Sequence, residues 1–355
     1  MKQVWWTMIS KAALFIQQIT DSLLKHQSLI LLLPPEMPWR SEMMERLDEK
    51  LMEQNNEKRL EVTECPEQEP GAYLLEHYCK QEKRAQYRYG KSFAEFLAQE
   101  NTVLSTRYIW LKNVSGEQLA QWCQFIRDYY GHTASPAESA VFILELKEQT
   151  KIPKGISRLK NLSFSDFIEP FDVYTFCALS CAEMQLNTQQ RRYLSEMVST
   201  ICGNDVELCA ECIAKGSGFL ESPAACLTEI AGSACRSDGS PFEIALSEEK
   251  IREKIWESQV KILFPIIEQY RSGFVKKHEA EIQAALPLQN VLGEEITSVC
   301  DVELGLLIQL TARGMIRLDD QNYRRLDLFR LARNTLAHLK TVSYADAKII
   351  MQTVR

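Results

Sequence analysis

The stretch Ser28-Leu-Ile-Leu-Leu-Leu33, followed by Pro34-Pro-Glu-Met-Pro-Trp39, decides the fold of the first half of the chain. An uninterrupted apolar run of this length is typical of a strand buried on both faces, as in a parallel sheet. The prolines end the strand, and a helical pattern begins near Trp39 or Ser41. The stretch therefore predicts a buried strand, a loop and a helix.

Similar apolar, β-branched segments recur along the first 170 residues and alternate with helical patterns. Alternating strands and helices are typical of a mostly parallel sheet with helices on its faces, and residues 170–235 then carry helical patterns alone. The further strands are predicted at 59–63, 106–114, 139–146 and 159–164, and the helices at 2–26, 72–82, 91–99 and 116–130.

A buried strand, loop and helix is the setting of a phosphate-binding P-loop, yet the residues that bind phosphate are missing. A P-loop needs glycines whose N–H groups surround the phosphates, a lysine, and a Ser or Thr for magnesium. The loop after Leu33 has no glycine, and Arg40 and Ser41 are the nearest substitutes. The strand at 106–114 has no acid for magnesium, and Glu145 reads either as a sensor-like residue or as a strand-end charge. We expect no ATP hydrolysis and no cofactor.

This layout resembles an AAA or STAND-type ATPase module with its helical lid, without the Walker motifs. The resemblance implies a P-loop-like α/β domain at 1–168 and a lid at 169–240, which together act as a non-hydrolysing scaffold or bind a partner protein. Turn residues at 236–247 predict a linker.

The remaining residues, 241–355, predict an all-α domain. Ser247 is placed as an N-cap for a long helix that ends near residue 278, with a kink or break at Pro265. Two more helices are predicted at 301–313 and 319–340, and Ser343 caps a last one, with Asp346 at the third helical position.

Near the end of the third helix stands Leu331-Ala-Arg-Asn-Thr-Leu-Ala-His-Leu339. Arg333 and His338 are five residues apart, so on a straight helix they lie on different faces. They can face one target only through a local distortion or through a second copy of the helix. Asn334 could bond the backbone or orient a neighbour. The leucines predicted to form the apolar stripe beneath them are Leu328, Leu331, Leu336 and Leu339.

The string Arg-Asn-x-x-x-His resembles the signature of HEPN domains, small helical units found in many prokaryotic ribonucleases. The resemblance implies a HEPN-like helical bundle, metal-independent RNA cleavage by Arg333 and His338 with Asn334 beside them, and a homodimer whose two copies line one cleft. It suggests an effector in prokaryotic defence. HEPN-like domains without activity serve as binding modules, so a non-catalytic scaffold that binds a protein or nucleic acid stays open.

The charge distribution predicts that any contact with nucleic acid is made by a local patch of cations. The net charge is −7, which gives no global attraction to RNA. Around the motif, several cations stand against Asp327 alone, which predicts a phosphate-binding surface or a solvated face with ion pairs to the first domain. Besides Arg333, these cations are Arg324, Arg325, Arg330 and Lys340.

The cysteines and the N-terminus argue for a cytoplasmic protein. The eleven cysteines show no compact disulfide spacing, so we expect free thiols in a reducing compartment. Cys209 and Cys212 have a ligand-like spacing, but no histidine lies between 133 and 277, and we expect buried thiols and no metal. The N-terminal stretch predicts neither a signal peptide nor a membrane span.

Overall fold

In the computed structural model, which describes residues 1–54, 58–87, 90–99, 104–152, 159–289 and 293–353, the apolar stretch forms an inner strand of a five-stranded sheet. The strand order is β2-β3-β4-β1-β5, and every pairing is parallel. The predicted mixed α/β fold with a parallel sheet is confirmed. The strands are β1 (Ser28–Leu33), β2 (Arg59–Glu64), β3 (Arg107–Lys112), β4 (Val141–Lys147) and β5 (Leu159–Ser163).

Helices surround this sheet, and two of their predicted spans are broken. Residues Val4–Met8 form a π-helix, and the extended backbone at Ile9 separates it from the first α-helix. Cys79 is likewise extended and ends a helix that the sequence pattern carried to residue 82. Both residues are buried, so core packing overrides local helical preference. The helices are α1 (Ser10–Leu24), α2 (Arg40–Gln54), α3 (Pro70–Tyr78), α4 (Gln81–Arg84), α5 (Phe93–Gln99) and α6 (Gly116–His132).

The sheet and its helices belong to one compact unit, Met1–Asp172, and Val173–Arg355 forms a second. The described residues of the second unit are mostly helical and include a short antiparallel pair, β6 (Leu288–Gln289) with β7 (Glu295–Ile296). Its helices are α7 (Pro170–Ser180, whose first turn belongs to the first unit), α8 (Thr188–Cys202), α9 (Val206–Ala214), α10 (Ser217–Glu221), α11 (Pro223–Ser233), α12 (Glu248–Lys277), α13 (Glu279–Ala285), α14 (Leu304–Ala312), α15 (Asp320–Ala337) and α16 (Tyr344–Gln352).

Helix α12 is the long element around which the second unit is built. Ser247 caps it as predicted, accepting a bond from Lys250 N at 3.2 Å. The helix continues through Pro265, where a kink or break was expected. Buried Gln259 joins three parts of the unit: its Nε2 donates to Tyr193 Oη of α8 at 2.9 Å, and its amide exchanges bonds with the backbone of Val342.

The predicted linker at 236–247 lies against α9. Arg236 forms a buried ion pair with Asp205, and its guanidinium lies 4.6 Å from the Phe242 ring centroid. The hydroxyl of Ser237 donates to Glu207 at 2.5 Å. The lid segment and the C-terminal helices are thus packed together within one unit, whereas the sequence pattern divided them near residue 240.

We expect the isolated fragment 173–355 to unfold cooperatively, and the fragment 241–355 to be less stable by more than about 3 kcal/mol, because it lacks the apolar face of α8. Urea denaturation followed by circular dichroism compares the two fragments. Equal stability of the two would support the three-part division that the sequence predicts.

Candidate functional site

Helix α15 carries the Arg-Asn-x-x-x-His string on the second unit. The side chain of Asp319 caps the helix, accepting a bond from Asn322 N at 2.7 Å. The helix packs against α12 and α14 through a stripe that shares Leu336 with the predicted one and otherwise differs from it. Leu331 and Leu339 are 49% and 71% exposed, so two of the four predicted leucines point away from the core. The buried stripe consists of Leu326, Phe329, Ala332 and Leu336.

His338 lies at the point where α15 ends. Its backbone has left the helical conformation (φ −99°, ψ 25°), while its N–H still donates to Asn334 O at 3.1 Å. The side chain is exposed, and within the described part of the chain no hydrogen bond or ion pair of its imidazole is found. An exposed imidazole at this position can reach a bound ligand.

Arg333 lies over a small polar cavity of about 240 Å³, lined by residues of α12, α14 and α15. Its Nη2 contacts Glu303 Oε1 at 3.4 Å, and both side chains are partly exposed, at 35% and 65%. Neighbouring Arg271 is engaged by Glu268 at 2.8 Å and by the Cys300 carbonyl at 2.9 Å. Arg333 is therefore the less constrained cation of the two, since a surface pair of this kind contributes only about 0–1 kcal/mol.

Arg333 lines the polar cavity, and His338 is not among the residues that line it. Five residues of helix separate the two positions by about 140° around the axis. Asn334 is half-buried beside Arg333. A cleft that uses both side chains would need either a local distortion of the helix or a second copy of the chain, the two alternatives that the sequence leaves open.

The other predicted cations differ in availability. Arg330 is paired with Asp327 of its own helix at 2.7 Å. Arg324 is exposed and Arg325 half-buried. Lys340 is exposed and lines a groove with Trp256 of α12. No local sequence pattern signals the contact of Trp256 with α15, which is a bond from its Nε1–H to the Leu336 carbonyl.

A second candidate location is the carboxyl edge of the sheet, where the strand order reverses between β1 and β4. Ligands of open α/β sheets bind at such a crevice. Here the guanidinium of Arg40 is bound to Glu145, whose Oε2 also accepts the Trp110 Nε1–H at 2.6 Å. Glu145 is almost fully buried, so it is a structural partner of Arg40 and Trp110. The Arg40 charge is thereby already compensated.

The cysteines form a buried group in the second unit. Cys202 Sγ lies 3.6 Å from Cys212 Sγ, and Cys177 and Cys209 are buried beside them. Burial raises the pKa of the Cys177 and Cys209 thiols, which keeps them neutral at physiological pH. In the residues that the structure describes, no group of three or more His, Cys, Asp or Glu is arranged to hold a metal ion.

The comparisons with known proteins are sparse. No protein-family model matches the chain, and no curated protein matches it. A solved structure that matches is the ORC2 protein of Aeropyrum pernix, in its ADPNP-ADP complexes. It has 14% identity and a TM-score of 0.32, over 97% of this chain and 84% of that one. A TM-score this low has no bearing on function. Among the helices described, none is long and apolar enough to cross a membrane.

Proposed function

We propose that the chain is a HEPN-type ribonuclease that cleaves RNA without a metal, through Arg333 and His338 brought together in a homodimer. The observation that carries the proposal is the placement of the Arg-Asn-x-x-x-His string at a helix end where the imidazole of His338 is exposed. Asn334 lies beside Arg333 as a positioning residue. The nearby cations Arg324, Arg325 and Lys340 add positive charge to the same region.

The proposed reaction is attack of a ribose 2′-hydroxyl on the adjacent phosphate. The 2′-oxygen forms a bond to phosphorus, and the bond to the 5′-oxygen of the next nucleotide breaks. A neutral His338 takes the proton of the hydroxyl, and a protonated His338, from the partner copy in a shared cleft, gives a proton to the leaving oxygen. Arg333 stabilises the charge that grows on the phosphate oxygens.

In this proposal the first unit regulates the ribonuclease and does not hydrolyse ATP. Pro34 and Pro35 supply no backbone N–H for a phosphate, and Arg40 is neutralised by Glu145. We place the protein as an effector of a prokaryotic defence or toxin system whose first unit binds a partner protein.

A second candidate is a non-catalytic scaffold that binds a protein or nucleic acid. The contact of Arg333 with Glu303, and its separation from His338 within one chain, favour this alternative.

The test is incubation of the full chain with single-stranded RNA and with DNA of the same sequence, in EDTA. We expect RNA products that end in a 2′,3′-cyclic phosphate, and intact DNA, because deoxyribose lacks the attacking hydroxyl. Mass spectrometry identifies the ends, and sedimentation analysis gives the oligomeric state. Cleavage that requires magnesium, or equal cleavage of DNA, would contradict the mechanism, and no cleavage by the dimer would favour the scaffold.

A further inference from the structure

A groove of about 650 Å³ opens at the C-terminal end of α15, and the three residues that follow His338 form part of its lining. We propose that this groove is a subsite for one unpaired RNA nucleotide, whose base stacks on the indole of Trp256 while Lys340 and Arg252 contact its phosphate. The choice of RNA as the ligand rests on the proposed function. The volume lies in the range of small-ligand pockets, about 300–1,000 Å³.

The indole of Trp256 is held in place before any ligand arrives. Its Nε1–H donates to the carbonyl of Leu336 at 2.8 Å. This carbonyl belongs to the last turn of α15, where carbonyls lack partners within the helix. The bond ties the ring to the same helix end that presents His338, and the half-buried ring lines the groove. A fixed aromatic ring is the usual stacking platform for an unpaired base.

Leu339 forms another part of the groove, in a conformation that favours glycine. Its φ is +58°, in the left-handed region, where a leucine is strained. With 71% of its surface exposed, the side chain buries little that would offset this strain. Glycine or asparagine is the usual residue at such a helix end. Stability of the fold does not explain a leucine at this position, whereas contact of its apolar side chain with a stacked base does.

The charges along the groove favour a phosphate. Neither Arg252 nor Lys340 has an ion pair within the described residues, and Arg252 Nε donates only to the carbonyl of Glu248, at 3.4 Å. Of the two acids on the groove, Glu253 is bound to Lys250 at 2.7 Å. The other, Glu249, lies in the first turn of α12, where the helix dipole favours a carboxylate. Within the described residues, two cations without an ion pair thus stand against one such carboxylate.

The test measures binding separately from cleavage. The probe is a short single-stranded RNA, 2′-O-methylated at every position so that it cannot be cleaved, with its affinity for the full chain followed by fluorescence anisotropy. Because stacking on an aromatic side chain is lost, Trp256→Leu is expected to weaken binding by about 10- to 100-fold. Trp256→Phe keeps a ring but loses the bond to Leu336, and we expect a smaller loss. Lys340→Gln should lower the salt dependence of log K by about one.

Leu339→Gly tests whether weaker binding is merely the result of a less stable fold. The substitution relieves the left-handed strain, so we expect a higher melting temperature together with weaker binding of the probe. Leu331→Ala is the matched control, because Leu331 is an exposed leucine of α15 that does not line the groove. It should leave the affinity unchanged.

The outcomes separate the subsite from the proposed function. Unchanged affinity in both Trp256→Leu and Leu339→Gly, or no binding of the probe by the unmodified chain, overturns the subsite. RNA cleavage that depends on His338 would still support the ribonuclease in that case. Weakened binding without any RNA cleavage supports the subsite and favours the scaffold. Equally tight binding of a duplex overturns the assignment to an unpaired nucleotide.

Discussion

Replacing His338 by alanine is expected to lower the rate of RNA cleavage by about 10²–10⁴-fold, the usual contribution of a general acid or base. The thermal stability should stay the same, because the imidazole is exposed at a helix end and alanine is well tolerated there. Cleavage kinetics and a melting curve of the full chain measure the two effects. His132→Ala is the matched control: His132 is an exposed histidine at the end of α6.

Arg333→Ala should reduce cleavage nearly as much, because it removes the charge that stabilises the phosphate. The control is Arg330→Ala, three residues earlier on the same helix, since Arg330 is already paired with Asp327. We expect Arg330→Ala to have a small effect. Equal loss in both variants would indicate a general electrostatic role of the helix and no specific site.

The proposed cleft takes one His338 from each subunit, so a dimer of one unmodified chain and one His338→Ala chain has a single imidazole. When equal amounts of the two chains exchange subunits, about a quarter of the dimers keep both imidazoles, and cleavage should therefore fall to about a quarter of that of the unmodified dimer. A fall to only about a half, despite proven exchange of subunits, would indicate that each chain acts alone and would contradict the shared site.

Removing the carboxylate of Glu145 is expected to destabilise the protein by about 2–4 kcal/mol, because Glu145→Ala leaves the Trp110 N–H buried without a partner and Arg40 without its counter-charge. Trp110 is fully buried, so water cannot replace the lost acceptor. Glu145→Gln keeps an oxygen that can accept from Trp110, and we expect a smaller loss. Thermal unfolding of the full chain, followed by tryptophan fluorescence, measures the difference.

The matched control for this prediction is Glu229→Ala, which removes the partner of Lys215 in an exposed pair. It should leave the stability nearly unchanged. A loss in Glu145→Ala no larger than in this control would show that the buried network contributes little. If Glu145→Ala binds a nucleotide that the unmodified chain does not bind, Arg40 is a phosphate ligand whose charge Glu145 normally neutralises.

Local sequence chemistry predicted many of the elements but few of the long-range contacts. The N-cap at Ser247 was predicted correctly, and so was the cap at Ser343, whose hydroxyl accepts the Asp346 N–H at 3.1 Å. The alternation of apolar strands and helices predicted the parallel sheet. These features depend on residues within a few positions of one another, so a single stretch contains all the information they need.

The buried face of α15 is a feature that local sequence does not predict. The four leucines chosen from the motif suggested one stripe, and the packing against α12 and α14 selected another, centred on Leu326 and Phe329. Helical spacing allows more than one apolar face when leucines are frequent. Which face is buried depends on the neighbouring helices, and the sequence of α15 alone does not contain that information.

By itself, the sequence determined the buried central strand, the alternation that builds the sheet, and the caps that begin the long helices. It also placed Arg333 and His338 on one helix without a shared face. Only the tertiary structure decided that Glu145 neutralises Arg40, that Gln259 joins α8 to α12, and that Trp256 holds the end of α15. A polar side chain has many possible partners in a chain of this length, and only the folded packing brings one of them within hydrogen-bonding distance.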